Sequence, residues 1–409
     1  MDPALGAASE ALSRGDPLGA LRFVALRRDA PALALRGVAL AQLGEYATAR
    51  KLLGQAGRAF RDVDPGAYAR CLAAEGEVAL ECRDLSSAER ALERAIPLLE
   101  SSGDRENAWF CRLQLARRLV VLGRLAEAER ALSRLRRRGL PPRMLVLLGL
   151  LSADVARRST EPDVARAALD RAFGSAHAAG IPALLADVRA AREELETPVG
   201  RVVERGRERS VTLQDVADVL KSPALVVDTC RREIRAGKTI LPLLRRPVLL
   251  ALAAALGEAH PGEATRETLI QRAFGAARVT ESLRARLRVE LGRLRRLLGS
   301  LGDVNATEAG FVFVPRSDRA VVVLHPPVEG PRGTLLALLA SGEPWSTQAL
   351  AAALGTSART VQRALLDLES EGKVRGLGAG RARKWALAEL PGFATSLLLL
   401  AQVGRGVEG

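Results

Sequence analysis

Aromatic residues make up only 3% of this 409-residue chain. A core with so few rings must consist mainly of Leu, Ala and Val, which favours helices over a β-sandwich or a β-barrel. No apolar run approaches the roughly 18 residues that a membrane-spanning helix needs, and the run at Leu397–Ala401 is far too short. The N-terminus also lacks the basic start and apolar run of a signal peptide. We therefore expect a cytoplasmic protein that does not bind a membrane.

Cysteine and histidine are too few and too scattered for metal or redox chemistry. The cysteines are Cys71, Cys82, Cys111 and Cys230, and the histidines are His177, His260 and His325. Neither set has the short spacing of metal ligands or of a disulfide framework. We therefore expect reduced, buried thiols, and we predict neither a metal site nor a cofactor.

Residues that could carry catalysis are equally hard to find. The glycine-rich stretch at Gly376–Gly380 superficially matches a phosphate-binding loop. It follows no buried strand, opens no helix and lacks the Gly-Lys-Ser/Thr ending of such a loop. No Ser/His/Asp set and no pair of carboxylates stands out. The sequence therefore predicts that this protein is not an enzyme.

The positive charge of the chain is unevenly distributed. The net charge is +14, and only five of the 61 basic residues are lysines. Residues 1–200 carry 30 Lys and Arg against 26 Asp and Glu, whereas residues 201–409 carry 31 against 21. Such an excess in one half is typical of proteins that bind nucleic acid. A preference for Arg over Lys this strong is typical of GC-rich coding, so Arg identity alone carries little weight.

Residues 346–385 carry the most informative pattern in the chain. They predict a helix, a turn, a second helix and a basic hairpin. Ala351 is small where two helices must cross closely, Gly355 follows where the turn needs a positive φ, and Val361 occupies the buried position of the next helix. This offset pattern resembles the helix-turn-helix of bacterial DNA-binding proteins.

The second helix of this motif has two distinct faces. Its apolar residues Val361, Ala364, Leu365 and Leu368 fall on one face. The residues that we assign to DNA binding are Arg359, Thr360, Gln362 and Arg363. Arg and Gln are able to make paired hydrogen bonds to guanine and adenine edges in the major groove. The resemblance therefore implies that this helix reads double-stranded DNA.

The hairpin that follows contains five cations and no acid around a glycine tip. These cations are Lys373, Arg375, Arg381, Arg383 and Lys384. We interpret the hairpin as a wing against DNA phosphates, with contacts from Arg381, Arg383 and Lys384. The alternative is an ordinary helical hairpin with a solvated basic turn.

The N-terminal half shows an internal repeat of paired helices. Equivalent alanines at 49, 88, 128 and 165 are separated by 39, 40 and 37 residues. Small residues such as Gly37 and Gly76 allow the two helices of each pair to pack closely. The pattern resembles the tetratricopeptide repeat (TPR), which implies a surface for a protein or peptide partner. The alternative is a spacer or a dimerisation module.

The middle of the chain predicts a small sheet, three helices and a hairpin. Strands are expected between Leu225 and Leu241, helices at 246–256, 265–275 and 281–298, and a hairpin at 305–315. This order resembles the OmpR-type winged helix of bacterial regulators, with the third helix as its recognition helix. Residues 199–222 are interpreted as a linker.

The third helix of this region carries a leucine stripe flanked by arginines. The arginines that we assign to DNA binding are Arg284, Arg286, Arg288, Arg293, Arg295 and Arg296. Two rows of cations beside a strip of small residues suit phosphate contacts on both sides of a groove. The alternatives are a solvated helix and a face for a homodimer, because the leucine spacing is nearly heptad.

These patterns together predict a mainly α protein with an α-solenoid followed by two winged-helix domains. The predicted segments are a TPR-like domain at 1–198, a linker at 199–222, an OmpR-like domain at 223–326, a winged helix-turn-helix at 327–389 and a tail at 390–409. The expected function is sequence-specific transcriptional regulation, controlled by a protein or peptide bound to the repeats. The competing hypothesis is an interaction scaffold whose winged helices bind protein.

Overall fold

The computed structural model describes residues 2–136, 139–276, 278–327, 331–339, 344–354, 356–378, 380 and 383–387. The chain forms two compact units, an N-terminal one of helices up to Glu194 and a C-terminal one that begins at Leu195. The protein is mainly helical, as the sequence predicts.

The N-terminal unit is a stack of consecutive helices. Their bounds are α1 Pro3–Ser13, α2 Pro17–Val24, α3 Ala30–Gln42, α4 Tyr46–Phe60, α5 Pro65–Glu81, α6 Leu85–Ser101, α7 Arg105–Val121, α8 Leu125–Arg136, α9 Pro142–Arg158, α10 Pro162–Ala179 and α11 Pro182–Glu196. Each helix from α1 to α8 packs against the next one along the chain. Aspartates cap many of these helices by accepting a backbone hydrogen bond, for example Asp64 from the Ala67 amide at 2.8 Å.

Two glycines show why the helices of a pair approach so closely. A Cβ atom at Gly37 would lie 2.8 Å from Leu53 Cγ, and one at Gly76 would lie 2.7 Å from Leu92 Cγ. Both distances are too short for real atoms, so a larger residue at either position would force the leucine to move. The two contacts are equivalent and lie 39 residues apart in sequence. The predicted repeat is therefore present as a repeated packing contact.

Polar side chains connect successive helix pairs inside the stack. Gln114 donates to Glu77 at 3.0 Å, and Arg117 pairs with Glu81 at 2.7 Å. Glu77, Gln114 and Arg117 are all buried. Because an unpaired buried charge is costly, these contacts favour one register between neighbouring pairs.

A six-stranded sheet begins the C-terminal unit. Its strands are β1 Gly200–Glu204, β2 Arg207–Val211, β3 Leu225–Asp228, β4 Glu233–Ala236, β5 Thr239–Pro242 and β9 Val321–His325, in the order β2-β1-β9-β3-β4-β5. The pairs are antiparallel except β3 with β9, which is parallel. The predicted strands at 225–241 are present, whereas β1, β2 and β9 are additional.

The interpretation of residues 199–222 as a linker is wrong. This segment forms β1, β2 and the helix α12 (Leu213–Lys221), and β1 lies between β2 and β9 in the sheet. Val202 is buried, and Thr212 and Asp215 form a capping box at the start of α12. The charged run 204–209 suggested a linker because it is the exposed hairpin between two strands. The partner strand β9 comes more than 100 residues later, so local pattern gave no sign of the pairing.

Three helices and a hairpin follow β5 along the chain. The helices are α13 Pro247–Ala259, α14 Arg266–Phe274 and α15 Glu281–Leu298. The strands are β6 Glu263–Thr265, β7 Gly302–Ala306 and β8 Gly310–Pro315, in the order β6-β8-β7. Thr280 caps the start of α15, and Leu287, Leu291, Leu294 and Leu298 are its buried residues. The predicted leucine stripe is therefore a core face.

The C-terminal domain contains three helices and a three-stranded sheet. Its elements are α16 Pro331–Leu339, β10 Trp345–Ser346, α17 Thr347–Leu354, α18 Ala358–Ser370, β11 Val374–Leu377 and β12 Lys384–Leu387, with strand order β10-β12-β11. Ala351 and Val361 are buried as predicted, while the predicted turn residue Gly355 lies outside the described residues. The helix α16 was not identified from the sequence.

Leu294→Ala tests the orientation of α15. This side chain is fully buried, so its truncation is expected to lower the local stability of the helix by about 2–5 kcal/mol. Val289→Ala on the exposed face of the same helix is the control, with an expected effect of about 0.5 kcal/mol or less. Hydrogen exchange of the α15 amides measures both changes. Equal effects would contradict this orientation. A folded Leu294→Ala chain that loses dimers would favour the alternative in which the leucine stripe is a homodimer face.

Candidate nucleic-acid interface

The helix α18 begins at a well-defined cap. The Ser357 hydroxyl accepts a hydrogen bond from the Thr360 amide at 3.1 Å, and the two hydroxyl groups lie 2.8 Å apart. This contact satisfies one of the free amides at the helix start. Thr360 is half-buried, so its hydroxyl belongs to the cap. Of the four predicted DNA-binding residues on α18, Thr360 is the one already engaged inside the protein.

The apolar face of α18 fixes the direction of its polar face. Val361, Leu365 and Leu368 are buried in a core that also contains Leu350 and Trp385. Arg359, Gln362 and Arg363 are exposed on the opposite side. Within the described residues, none of these three side chains makes a hydrogen bond or an ion pair. Three long polar side chains therefore point into solvent from the first two turns of a rigidly packed helix.

The wing arginine Arg383 is held inside the domain. Its guanidinium nitrogen Nη2 lies 2.7 Å and 2.9 Å from the two carboxylate oxygens of Glu369. The same guanidinium lies over the ring of Trp385, 4.3 Å from the centroid, and Glu369 also accepts from the Gly376 amide at 3.0 Å. A Cβ atom at Gly376 would lie 2.1 Å from Arg383 Nε, so glycine leaves room for the guanidinium. This cluster gives Arg383 a structural position that the sequence did not predict.

The remaining cations of the hairpin differ in whether they form ion pairs inside the domain. Lys373 pairs with Glu371 at 3.1 Å, and hydrogen bonds from Lys373 and Arg332 lower the pKa of Glu371. Lys384 is exposed and has no ion pair within the described part of the chain. Arg381 lies outside the described residues. Of the predicted wing contacts, Lys384 is thus the cation that the structure shows to be available.

The arginines of α15 do not form two equivalent rows. Arg284 and Arg288 both pair with Glu281, at 3.4 Å and 2.8 Å, in exposed positions where such pairs are weak. Arg295 donates to the Val304 carbonyl and lies 3.7 Å from Asp303, so it attaches the helix to β7. The predicted phosphate contact of Arg295 therefore competes with contacts inside the domain.

Arg286 and Arg293 lie on the other side of α15, and Arg296 lies on the exposed face between the two sides. The Arg286 guanidinium lies 4.6 Å from the ring centroid of Phe274. Arg293 pairs with Glu290 at 2.7 Å, and Arg296 is exposed, with a long contact of 3.4 Å to the Gly292 carbonyl. Ala285 and Val289 are exposed between the two sides. This helix therefore presents a narrow apolar strip that leads to Arg296, which has no ion pair within the described residues.

Among the described residues, no cluster of three or more His, Cys, Asp or Glu side chains is arranged to hold a metal ion. No described helix combines the length and the apolar character needed to cross a bilayer.

Comparison with known protein families gives a match for one segment of the chain. Residues 324–380 match the model of the DprA winged helix domain. The C-terminal domain is a winged helix. The match covers the end of β9 and all of α16, β10, α17, α18 and β11, and it leaves most of the chain outside it. No curated protein and no solved structure matches the chain significantly.

Arg383→Ala tests whether the wing arginine is structural. Its loss removes the carboxylate pair and the ring contact, and we expect the winged helix to lose about 1 kcal/mol of stability because the group is partly exposed. Lys384→Ala on the same strand is expected to change stability by about 0.5 kcal/mol or less. Denaturant unfolding followed by tryptophan fluorescence in a Trp109→Phe background measures both variants. Equal stability of the two would show that the Arg383 cluster contributes nothing.

Proposed function

We propose that this protein binds double-stranded DNA through its C-terminal winged helix, with α18 in the major groove. The observation that carries this proposal is the exposed row of Arg359, Gln362 and Arg363. The first turns of the second helix are the part of a helix-turn-helix that reaches base edges. Arg and Gln at these positions are able to recognise guanine and adenine by paired hydrogen bonds.

The charge of the C-terminal winged helix favours DNA over a protein as its partner. The exposed face of α18 carries Arg359 and Arg363 against Asp367, and Lys384 adds a cation on the wing. Phosphate contacts position a protein on the duplex, whereas base contacts select the sequence. Lys384 fits the first role, and the α18 side chains fit the second. A protein-binding scaffold remains the competing function, and the binding tests below distinguish the two.

The middle domain is proposed as a second DNA-binding element of the OmpR type. Support comes from the order of α13, α14, α15 and the β7–β8 hairpin, with a long arginine-rich third helix. Arg284, Arg286, Arg288, Arg293 and Arg296 remain candidates for DNA contact there. Arg295 is a weaker candidate because it already bonds to β7.

The helical stack is proposed to bind a protein or peptide and thereby to regulate transcription by the DNA-binding domains. A groove of about 850 Å³ between α6, α7 and α8 supports this role. Its floor includes the half-buried Ile96, Trp109 and Leu115, and its rim includes Glu93 and Arg105. An apolar floor with a charged rim is typical of a protein-binding surface. This proposal includes TPR-like binding by the stack and a possible homodimer. It also includes a cytoplasmic location and the absence of enzymatic activity.

Substitutions on α18 test sequence recognition. Gln362→Ala and Arg363→Ala, singly and together with Arg359→Ala, are expected to flatten the sequence preference, because each lost paired contact removes about 1–3 kcal/mol of discrimination. Binding to random DNA is expected to change little. Selection from randomised duplexes measures the preference of each variant.

Two controls accompany this selection. Lys384→Ala is expected to lower affinity for all sequences and to reduce the salt slope by about one unit without altering preference. Arg22→Ala, an exposed arginine in the helical stack, is expected to change neither property. An unaltered preference in the triple α18 variant would mean that this helix does not read the groove, and the winged helix would then be better assigned to protein contacts.

Separate expression of the two units tests which one binds DNA. A fragment of residues 195–389 is expected to bind duplex DNA with strong salt dependence, and a fragment of residues 1–194 is expected not to bind. The first fragment starts before β1, because a start at residue 223 would remove two strands from the sheet. Electrophoretic mobility shifts at several salt concentrations measure the difference. DNA affinity confined to the N-terminal fragment would overturn the assignment.

A further inference from the structure

Four arginines line one cleft in the middle domain. Arg245 and Arg246 lie between β5 and α13, and Arg293 and Arg296 lie on the last half of α15. The cleft has a volume of about 670 Å³. Its remaining lining consists of the start of α13, at Pro247, Val248 and Leu249, together with Glu290 and Leu297.

The charge in this cleft is poorly balanced by the protein. Glu290 is the acidic residue of the lining, and it pairs with Arg293 at 2.7 Å. Arg245, Arg246 and Arg296 are exposed and form no ion pair within the described residues. Three arginines that repel one another thus share a single concave surface. Mutual repulsion of this kind is relieved when an anion binds between the charges.

The start of α13 adds to the positive potential. Its N-cap residue is Arg246, which provides no side-chain acceptor to the helix amides. By contrast, Thr265 caps α14 and Thr280 caps α15 in the same domain. The N-terminus of a helix carries a partial positive charge and favours anions. Arg245 and Arg246 at the start of α13 destabilise the protein alone, because like charges repel. The same two residues stabilise a complex with an anion.

The chemistry of the cleft favours phosphate. Guanidinium groups match the oxygens of a phosphate with two parallel hydrogen bonds and keep their charge at all relevant pH values. The lining arginines are exposed, whereas a small-molecule pocket encloses most of its ligand. A continuous polyanion fits these exposed charges better than a free small anion does.

We propose that this cleft binds backbone phosphates of duplex DNA and anchors the middle domain beside α15. Arg293 and Arg296 place the cleft next to the exposed strip of Ala285 and Val289 on the same helix. These phosphate contacts add affinity for DNA without selecting its sequence. They are separate from the base recognition proposed for α18. This inference rests on the proposed DNA-binding function.

A triple substitution in the full-length protein tests the cleft. Arg245→Gln, Arg246→Gln and Arg296→Gln together are expected to reduce the salt slope of binding to random duplex by about 2–3 units, roughly one for each lost phosphate contact. The sequence preference of this variant is expected to match that of the unaltered chain. The matched control is Arg22→Gln, Arg171→Gln and Arg189→Gln, which removes three exposed arginines from the helical stack. We expect this control to keep the original slope.

The outcomes separate this inference from the function on which it rests. If the unaltered chain binds no duplex, both fail. If it binds but the cleft and control variants have equal slopes, the cleft inference alone fails. A second experiment measures the thermal stability of the unaltered chain and of the cleft variant, in inorganic phosphate and in chloride at equal ionic strength. Stabilisation by phosphate that the cleft variant loses, while its DNA binding is unchanged, would overturn the backbone assignment in favour of a small anion.

Discussion

The packing of one face of α18 around Trp385 determines what the C-terminal domain is able to do. Val361, Leu365 and Leu368 are buried on that face, and Trp385 is almost completely enclosed. The Trp385 indole donates to the Thr347 hydroxyl at 3.0 Å, which connects β12 to the start of α17. Because these contacts fix the rotation of α18, Arg359, Gln362 and Arg363 are directed away from the core. The proposed base contacts require this rotation, since a helix free to turn would not hold three side chains against a groove.

Arginine serves two different purposes in this chain. Arg383 and Arg117 are held by carboxylates inside folded domains, and Arg295 bonds to a backbone carbonyl. Arg245 and Arg246 have no ion pair with the described residues. The net positive charge of the chain therefore overstates the charge available to a nucleic acid. The distribution of unpaired arginines indicates better where a nucleic acid would bind. These arginines lie on α18 and in the cleft beside α15.

Local sequence patterns predicted the elements well and their distant partners poorly. The periodicity of α15 and α18 gave the correct buried faces, because a helix face depends only on spacing along the chain. The small residues Gly37 and Gly76 likewise marked real close contacts. The partner of β1 could not be predicted, since β9 lies more than 100 residues away and neither strand alternates clearly. The role of Arg383 was missed for a similar reason, as Glu369 and Trp385 come from different elements.

All of these proposals require that this protein contact duplex DNA through its phosphates, and one equilibrium measurement tests that requirement. The affinity of the full-length chain for a random-sequence duplex is measured between about 50 mM and 200 mM salt. A protein that neutralises several phosphates loses affinity steeply over this range, with a logarithmic slope of about −0.9 for each phosphate contacted. We expect a slope of about −3 or steeper, because the cleft contributes three unpaired arginines. No binding at low salt, or an affinity that is insensitive to salt, would contradict it.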